Sequence, residues 1–288
     1  MVDSEVRLAR AYRSLEGLSV GDALGNQGLE HVSELPWTWT DDTAMAVAVV
    51  ECLRLAGALD PEELAAAFVR QFEKDPGRGY GAGTFSILKG MRGGESWREL
   101  AAAVFGGQGS MGNGAAMRAA PIGAYFSDDF ERVASEARTS ALPTHTHADG
   151  QAGAIAVAIG AAVATRIGLG ESVAPETIMR APLPYLPDGP TKRYLEKINA
   201  VPLSADPHRV SVIFGNGSQV LSSDTVPFCL WSVARHSRSY EEAVWTVIDV
   251  GGDQDTTGAI VGGIVALSSS GPPEAWRDAR EALPSLFA

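Results

Sequence analysis

Apolar residues along this chain recur at steps of three and four, rarely at steps of two. Near the N-terminus Leu8, Ala11, Tyr12, Leu15 and Leu18 fall on one face of a helix. The same period predicts helices over residues 43–55, 61–72, 97–105, 129–141, 150–167, 223–234, 240–250 and 257–267. The second of these opens on Pro61, a residue suited to a first helical turn. Alternating apolar and polar positions suggest a strand only at 209–214. Hairpin signals and a strand–helix–strand rhythm are missing, so the predicted fold is all-α, and no obvious linker divides residues 1–288. Glycine interrupts the pattern at 77–83, 106–114 and 251–252, which read as loops. Residues 182–207 form a proline-punctuated excursion, either a lid or a surface connector.

Composition narrows the function. Apolar residues make up 45% of the chain and charged residues 20%, enough apolar surface for a sizeable core. A net charge of -12 speaks against a nucleic-acid partner, because no basic surface for a phosphate backbone is visible. The N-terminal stretch carries acidic residues and lacks an apolar signal segment. The uncharged run 152–164 is short for a membrane span and rich in Ala and Gly, so it reads as a core helix. Cys52 and Cys229 sit in apolar helical runs and read as reduced thiols. Together these features predict a cytoplasmic protein with no membrane association.

Two segments far apart in the chain share one grammar. Thr40-Asp41-Asp42-Thr43 precedes one apolar helix, and Asp253-Gln254-Asp255-Thr256 precedes another. Either segment alone is explained by helix capping, since Asp and Thr accept backbone N–H bonds and oppose the macrodipole. A cap needs one acceptor, however, and here four carboxylates crowd two helix starts. If the starts converge, unpaired carboxylates repel by on the order of 1 kcal/mol per pair. Two divalent cations would neutralise them. Oxygen donors without supporting His or Cys suit Mg²⁺ or Mn²⁺ rather than Zn²⁺.

Gly107-x-Gly109-x-x-Gly112 matches a dinucleotide fingerprint in form only, because a helical segment precedes it and no strand–helix–strand unit follows. What remains is a glycine-rich turn from Ser110 through Gly114 into a helix start at 115–118. Outward N–H groups there favour a phosphate or pyrophosphate, or else the turn holds no ligand.

Taken in order, Gly21-Asp22-Ala23-Leu24-Gly25, Thr40-Asp41-Asp42-Thr43, Gly79-Tyr80-Gly81-Ala82-Gly83, Gly112-Asn113-Gly114 with Met117-Arg118, and Gly252-Asp253-Gln254-Asp255-Thr256 resemble the ADP-ribosylglycohydrolase family. The resemblance runs from about Leu8 to Leu267. It implies a compact orthogonal bundle of helices with a dimetal cleft. Thr40, Asp41, Asp42, Asp253, Asp255 and Thr256 would be ligands to two Mg²⁺ or Mn²⁺ ions, with Asp255 shared between them. It further implies that Ser110, Gly112, Asn113 and Gly114 hold a pyrophosphate and that Gly81 and Gly83 let backbone approach the distal ribose. Phe105 would lie against the nucleoside half, and His145 would line the cleft, although His147 is a rival for that place. The implied activity is hydrolysis of the bond between ADP-ribose and an acceptor, with Asp41, Asp42 and Asp255 as the catalytic carboxylates. The substrate would be ADP-ribosylated protein, or a small-molecule or nucleic-acid conjugate, and the product ADP-ribose. A non-catalytic ADP-ribose-binding module and a metallophosphatase are the rival readings. One departure stands out: where many relatives carry a glutamate after the first motif this chain has Leu29, leaving Glu30 or Glu34 to take its role. The Pro143-Thr144-His145-Thr146-His147 segment also departs from the more usual His-Pro. His31, His208 and His236 read as surface residues.

Overall fold

Helix α1 (Ser4–Gln27) and helix α14 (Gln254–Val265) touch backbone to backbone, and the rest of the molecule packs around that crossing. The computed structural model describes residues 3–28 and 31–284. Between these two helices run α2 (Asp41–Ala56), α3 (Pro61–Lys74), α4 (Ala82–Arg92), α5 (Trp97–Gly107), α6 (Ala120–Tyr125) and α7 (Phe130–Ala141). There follow α8 (Ala148–Gly168), α9 (Thr177–Arg180), α10 (Pro190–Ile198), α11 (Pro207–Phe214), α12 (Ser222–Arg235) and α13 (Tyr240–Ile248), and α15 (Glu274–Ala279) comes last. Among the described residues there is no β-strand, only two isolated bridges, so the all-α expectation holds.

Glycine makes the central crossing possible. A Cβ placed on Gly21 would lie 2.0 Å from the carbonyl oxygen of Gly258, and one on Gly258 would lie 2.3 Å from that of Gly21. One turn away, Gly17 and Gly262 repeat the arrangement at 2.4 Å in each direction. The buried half of α1 therefore reads Gly17-x-x-x-Gly21-x-x-x-Gly25, a strip of bare backbone at helical spacing. Ser14 Oγ donates to Gly263 O at 2.8 Å and Tyr240 Oη to Gly17 O at 2.6 Å, fixing the slide of one helix on the other. The C-terminal end of α1 is thus set beside the first turn of α14.

Helices α8, α12 and α14 are apolar nearly all round and buried, whereas α3, α7 and α10 present one apolar face inward. Helix α8 is long and apolar enough to cross a membrane by length and composition, but 89% of that window is buried in the protein. Cys52 and Cys229 are both buried and free.

Three expectations change. Residues 209–214 form the body of α11, not a strand: Pro207 takes the first turn, and Asp206 accepts the Arg209 N–H at 3.0 Å. The apparent alternation arises because Val210 and Phe214 face inward while Val212 and Ile213 are exposed. The excursion 182–207 contains α10 and is tied to the core, since buried Asp149 accepts Thr191 N–H at 2.9 Å and Thr191 Oγ1–H at 3.0 Å. Finally, the helix expected at 115–118 is a single 3₁₀ turn, Asn113–Ala115, with α6 starting only at Ala120.

Gly258→Ala puts a methyl against a carbonyl that cannot retreat without parting α1 from α14. We expect it to lower the unfolding free energy by about 2–3 kcal/mol, measured by urea titration; an unchanged midpoint would contradict the crossing.

Candidate active site

The start of α2 accounts for all of its own backbone donors without using either of its first two carboxylates. Asp41 N–H donates to Arg78 O at 2.7 Å, Asp42 N–H to Thr40 Oγ1 at 3.3 Å, and Thr43 N–H to Asp22 Oδ2 at 3.0 Å. Asp22, from the middle of α1, also receives Thr40 N–H at 3.0 Å, Thr40 Oγ1–H at 2.9 Å and Thr43 Oγ1–H at 2.5 Å. A buried aspartate on a neighbouring helix is therefore the cap of α2. Asp42 Oδ2 accepts only the Thr40 hydroxyl, at 3.0 Å, and neither Asp41 nor Asp42 caps a following N–H of α2, which rules out the capping explanation for this pair.

The start of α14 behaves alike. Asp253 occupies the N-cap position yet makes no side-chain cap bond; its Oδ2 accepts Asn113 Nδ2–H at 2.7 Å instead. Asp255 Oδ1 accepts only the N–H of Thr256, at 2.9 Å, among the bonds found. Both pairs sit differently from the sequence expectation in one detail. Asp41 and Asp42 on α2, and Asp255 and Thr256 on α14, lie within the first helical turn rather than ahead of it.

These two helix starts meet. Asp41, Asp42, Asp253, Asp255 and Thr256 line one cleft of about 510 Å³, a size suited to a small organic ligand. Gly81, Gly83, Phe105, Ser110, Gly112, Asn113, Gly114 and His145 line it too. Thr40 is the exception among the expected residues: it is buried behind the cleft, its hydroxyl shared between Asp22 and Asp42. Among the described residues no lysine or arginine lines the cleft.

Burial without a counter-charge shows in the acidities. Burial first, then the charges of Asp22 and Asp255, raises the pKa of Asp41 to about 8. The same causes raise that of Asp42 well above the ordinary carboxylate range. Asp22 and Asp253 are each pushed up to about 7, again chiefly by burial. Thr40 Oγ1 has one proton for two carboxylates, and Asp42 Oδ1 is buried with no hydrogen-bond partner. Among the described residues no three Asp, Glu, His or Cys side chains already form a closed ion cage, so side-chain rotation must complete any coordination shell.

The opposite wall comes from loops. Gly112 N–H donates to Ser110 Oγ at 3.1 Å and Asn113 N–H to Val220 O at 3.1 Å, so these two donors are already engaged. Phe105 is 65% exposed at a kink of α5 with φ 54°, and its ring lies over Gly83, where an added Cβ would sit 3.6 Å away. Val220 is 54% exposed with φ 57°. They are the two non-glycine residues with positive φ among those described, and both line this cleft.

His145, not His147, belongs to the site. Arg118 Nη2 donates to Thr144 Oγ1 at 2.9 Å, and Thr144 Oγ1 lies 2.7 Å from His145 Nδ1. Arg118 thus fixes the Thr144 hydroxyl, and the hydroxyl in turn fixes the orientation of the imidazole through Nδ1. Burial and then Arg118 lower the His145 pKa to about 3, so the ring is neutral. His147 instead caps α8, its Nδ1 accepting Asp149 N–H at 3.0 Å. His31, His208 and His236 lie outside the cleft, paired with Glu34, Asp249 and Glu242. Leu29 and Glu30 fall outside the described residues, and exposed Glu34 does not line the cleft.

Sequence reasoning missed the roles of Asp22 and Arg118, although both stand inside quoted motifs. An aspartate within an apolar helical run was the available signal for the first. It also missed Gln219, Val220 and Leu221, which line the cleft from a loop with no recognisable pattern.

The chain matches the ADP-ribosylglycohydrolase family over residues 3–286 and belongs to it. It is thereby a hydrolase of ADP-ribosylated substrates. Among curated relatives, human ADP-ribosylhydrolase ARH3 is 31% identical over 291 residues, covering 89% of this chain and 78% of that protein. ADP-ribosylarginine hydrolase Tri1 of Serratia proteamaculans is 25% identical, covering 96% of this chain and 77% of its own. A solved ADP-ribosylglycohydrolase-related protein complex shares the fold, with a TM-score of 0.69 at 23% identity over 96% of this chain and 94% of that one.

Raised carboxylate pKa values mean that the folded, metal-free protein holds more protons than the unfolded chain near neutrality. The stability these carboxylates contribute is fully present below the ordinary carboxylate range and is lost as pH rises through about 7–8, the values of Asp22, Asp41 and Asp253. Asp42→Asn removes one buried charge, so the metal-free variant should gain on the order of 1 kcal/mol at pH 8 and show a shallower fall in Tm between pH 6 and pH 9. An unchanged or lower Tm at pH 8 counts against this electrostatic picture.

Proposed function

We propose that this chain cleaves the glycosidic bond between C1″ of the distal ribose of ADP-ribose and an acceptor atom, using two divalent cations held in the cleft. The observation that carries this reading is the meeting of two acidic helix starts in one cleft that, among the described residues, no lysine or arginine lines. Hard oxygen donors, an unpartnered Asp42 Oδ1 and repelling carboxylates fit Mg²⁺ or Mn²⁺. Asp41, Asp42, Asp253, Asp255 and Thr256 would hold the ions, with Thr40 steadying Asp42 from behind or turning inward as a further ligand. Asp255 would be the carboxylate shared between the ions, as the family resemblance implies; it lines the cleft together with Asp41, Asp42 and Asp253.

When bound, the cations supply Lewis acidity and a grip for vicinal ribose hydroxyls. The protein's own groups do the rest. Backbone at Gly81 and Gly83 leaves room for the distal ribose, and Phe105 offers its exposed face to the nucleoside half. Ser110, Gly112, Asn113 and Gly114 border the pyrophosphate between them. His145, neutral and held through Nδ1, would offer its Nε2 to the ligand. Departure of the acceptor builds positive character at C1″, which the surrounding carboxylates stabilise. As the water oxygen bonds to C1″ and the bond from C1″ to the acceptor atom breaks, Asp41 or Asp42 would take a proton from the water and pass it to the departing acceptor atom.

The substrate class is ADP-ribosylated protein or another ADP-ribose conjugate, and free ADP-ribose is the product. The two free buried thiols support a reducing, cytoplasmic setting. The relatives' names include an ADP-ribosylarginine hydrolase, so arginine-, serine- and nucleic-acid-linked substrates belong side by side in the assay.

Incubation with ADP-ribosylated protein and Mg²⁺ or Mn²⁺ should release ADP-ribose, and excess chelator should stop it. Release of AMP would point to a phosphatase, and binding without release to a non-catalytic module. Asp255→Asn should lower turnover at least about 100-fold and weaken retention of Mn²⁺ together. Full turnover in that variant or in chelator defeats the metal reading.

A further inference from the structure

Outside the carboxylate cluster, one assembly of side chains reaches the cleft from behind. Arg78 sits between the acidic helix start and the glycine loop, and both terminal nitrogens of its guanidinium are hydrogen-bonded. Its guanidinium lies over the Trp39 ring, 3.7 Å from the centroid. Nη1 donates to Trp39 O at 2.8 Å and to Glu281 Oε2 at 2.7 Å, while Nη2 donates to Glu281 Oε1 at 2.6 Å. Nε faces Asp75 Oδ2 at 3.1 Å. Glu281 is itself anchored: its N–H donates to Trp37 O at 2.8 Å, and Trp37 N–H donates to Ala279 O at 2.7 Å. The segment after α15 thus lies alongside residues 37–39 and grips Arg78 with a two-pronged ion pair.

The backbone of Arg78 carries that grip into the site. Its carbonyl receives the N–H of Asp41, the first residue of α2. Its successor Gly79, with φ 91°, lines the cleft, and a Cβ there would sit 3.6 Å from Asp41 Oδ1. The carbonyl that fixes Asp41 and the loop that borders the ribose side therefore move with one residue. On the far side Trp39, Arg78 and Glu281 line a second cavity of about 320 Å³.

We propose that Glu281 is a positioning residue for hydrolysis: through Arg78 it holds Asp41 at the angle the cations require and Gly79–Gly83 at the distance the ribose requires. Glu281 touches neither ion nor substrate. The proposal rests on the dimetal reading above. Lysine cannot replace Arg78 in this place, because it lacks both the fork that matches the carboxylate and the flat face that covers Trp39.

The test is calorimetric titration of metal-free protein with Mn²⁺, alongside thermal melts with and without Mn²⁺. Wild type comes first, and absence of Mn²⁺ binding there defeats the dimetal reading itself. Given wild-type binding, Glu281→Gln should weaken Mn²⁺ affinity about tenfold and shrink the Mn²⁺-induced rise in Tm, with the metal-free Tm nearly unchanged. Arg78→Lys should do the same, and the double variant should lose little more than either single one. Unchanged Mn²⁺ affinity in Glu281→Gln, or a fall in metal-free Tm with affinity intact, overturns the positioning role. Glu281→Asp, which keeps the charge on a shorter arm, should recover part of the affinity; recovery no greater than in the Gln variant also counts against it.

Discussion

A cluster of buried like charges cannot be assembled by attraction, so something else must force it together. Here that is the contact of α1 with α14, where glycine backbones meet with no side chains between them. The contact sets the first turn of α14, bearing Asp253 and Asp255, beside Asp22 on α1, and Asp22 in turn fixes the start of α2 with Asp41 and Asp42. Apolar burial along α1, α8, α12 and α14 offsets the repulsion. Burial of even a few large side chains is worth several kcal/mol, more than screened carboxylate pairs cost.

The division of labour at the helix starts follows from the same constraint. Ordinarily the first acidic residues of a helix serve its own N–H groups. In this protein the donors of α2 are satisfied by Asp22, by Thr40 and by the carbonyl of Arg78, and the Asp253 side chain is turned toward Asn113. Carboxylates turned away from capping retain a raised proton affinity, and under the proposed dimetal reading they would exchange those protons for cations. The strained residues Phe105 and Val220 on the opposite wall fit the same pattern, in which local cost gathers where ligands bind.

Much of this was legible in the residues. Long helices with clear three-and-four spacing were placed correctly, because burial of one face leaves a periodic trace. Both acidic segments were visible as a surplus of acceptors over what capping needs. Other features left no such trace. Helix α11 looked like a strand because two exposed apolar residues, Val212 and Ile213, disguised its period, although Asp206-Pro207 marked its start. The turn after Gly114 proved too short for an α-helix because α6 starts only at Ala120. Asp22 as a remote cap, Glu281 as the partner of Arg78, and Val220 against Asn113 all depend on contacts between distant segments. Periodicity along one chain carries no record of these.

The most direct measurement is anomalous diffraction at the manganese edge from crystals grown with Mn²⁺. Two peaks about 4 Å apart, bounded by the carboxylates of Asp41, Asp42, Asp253 and Asp255, are the predicted result. Absence of anomalous density in the cleft at saturating Mn²⁺, or ions bound only elsewhere on this acidic surface, would contradict it.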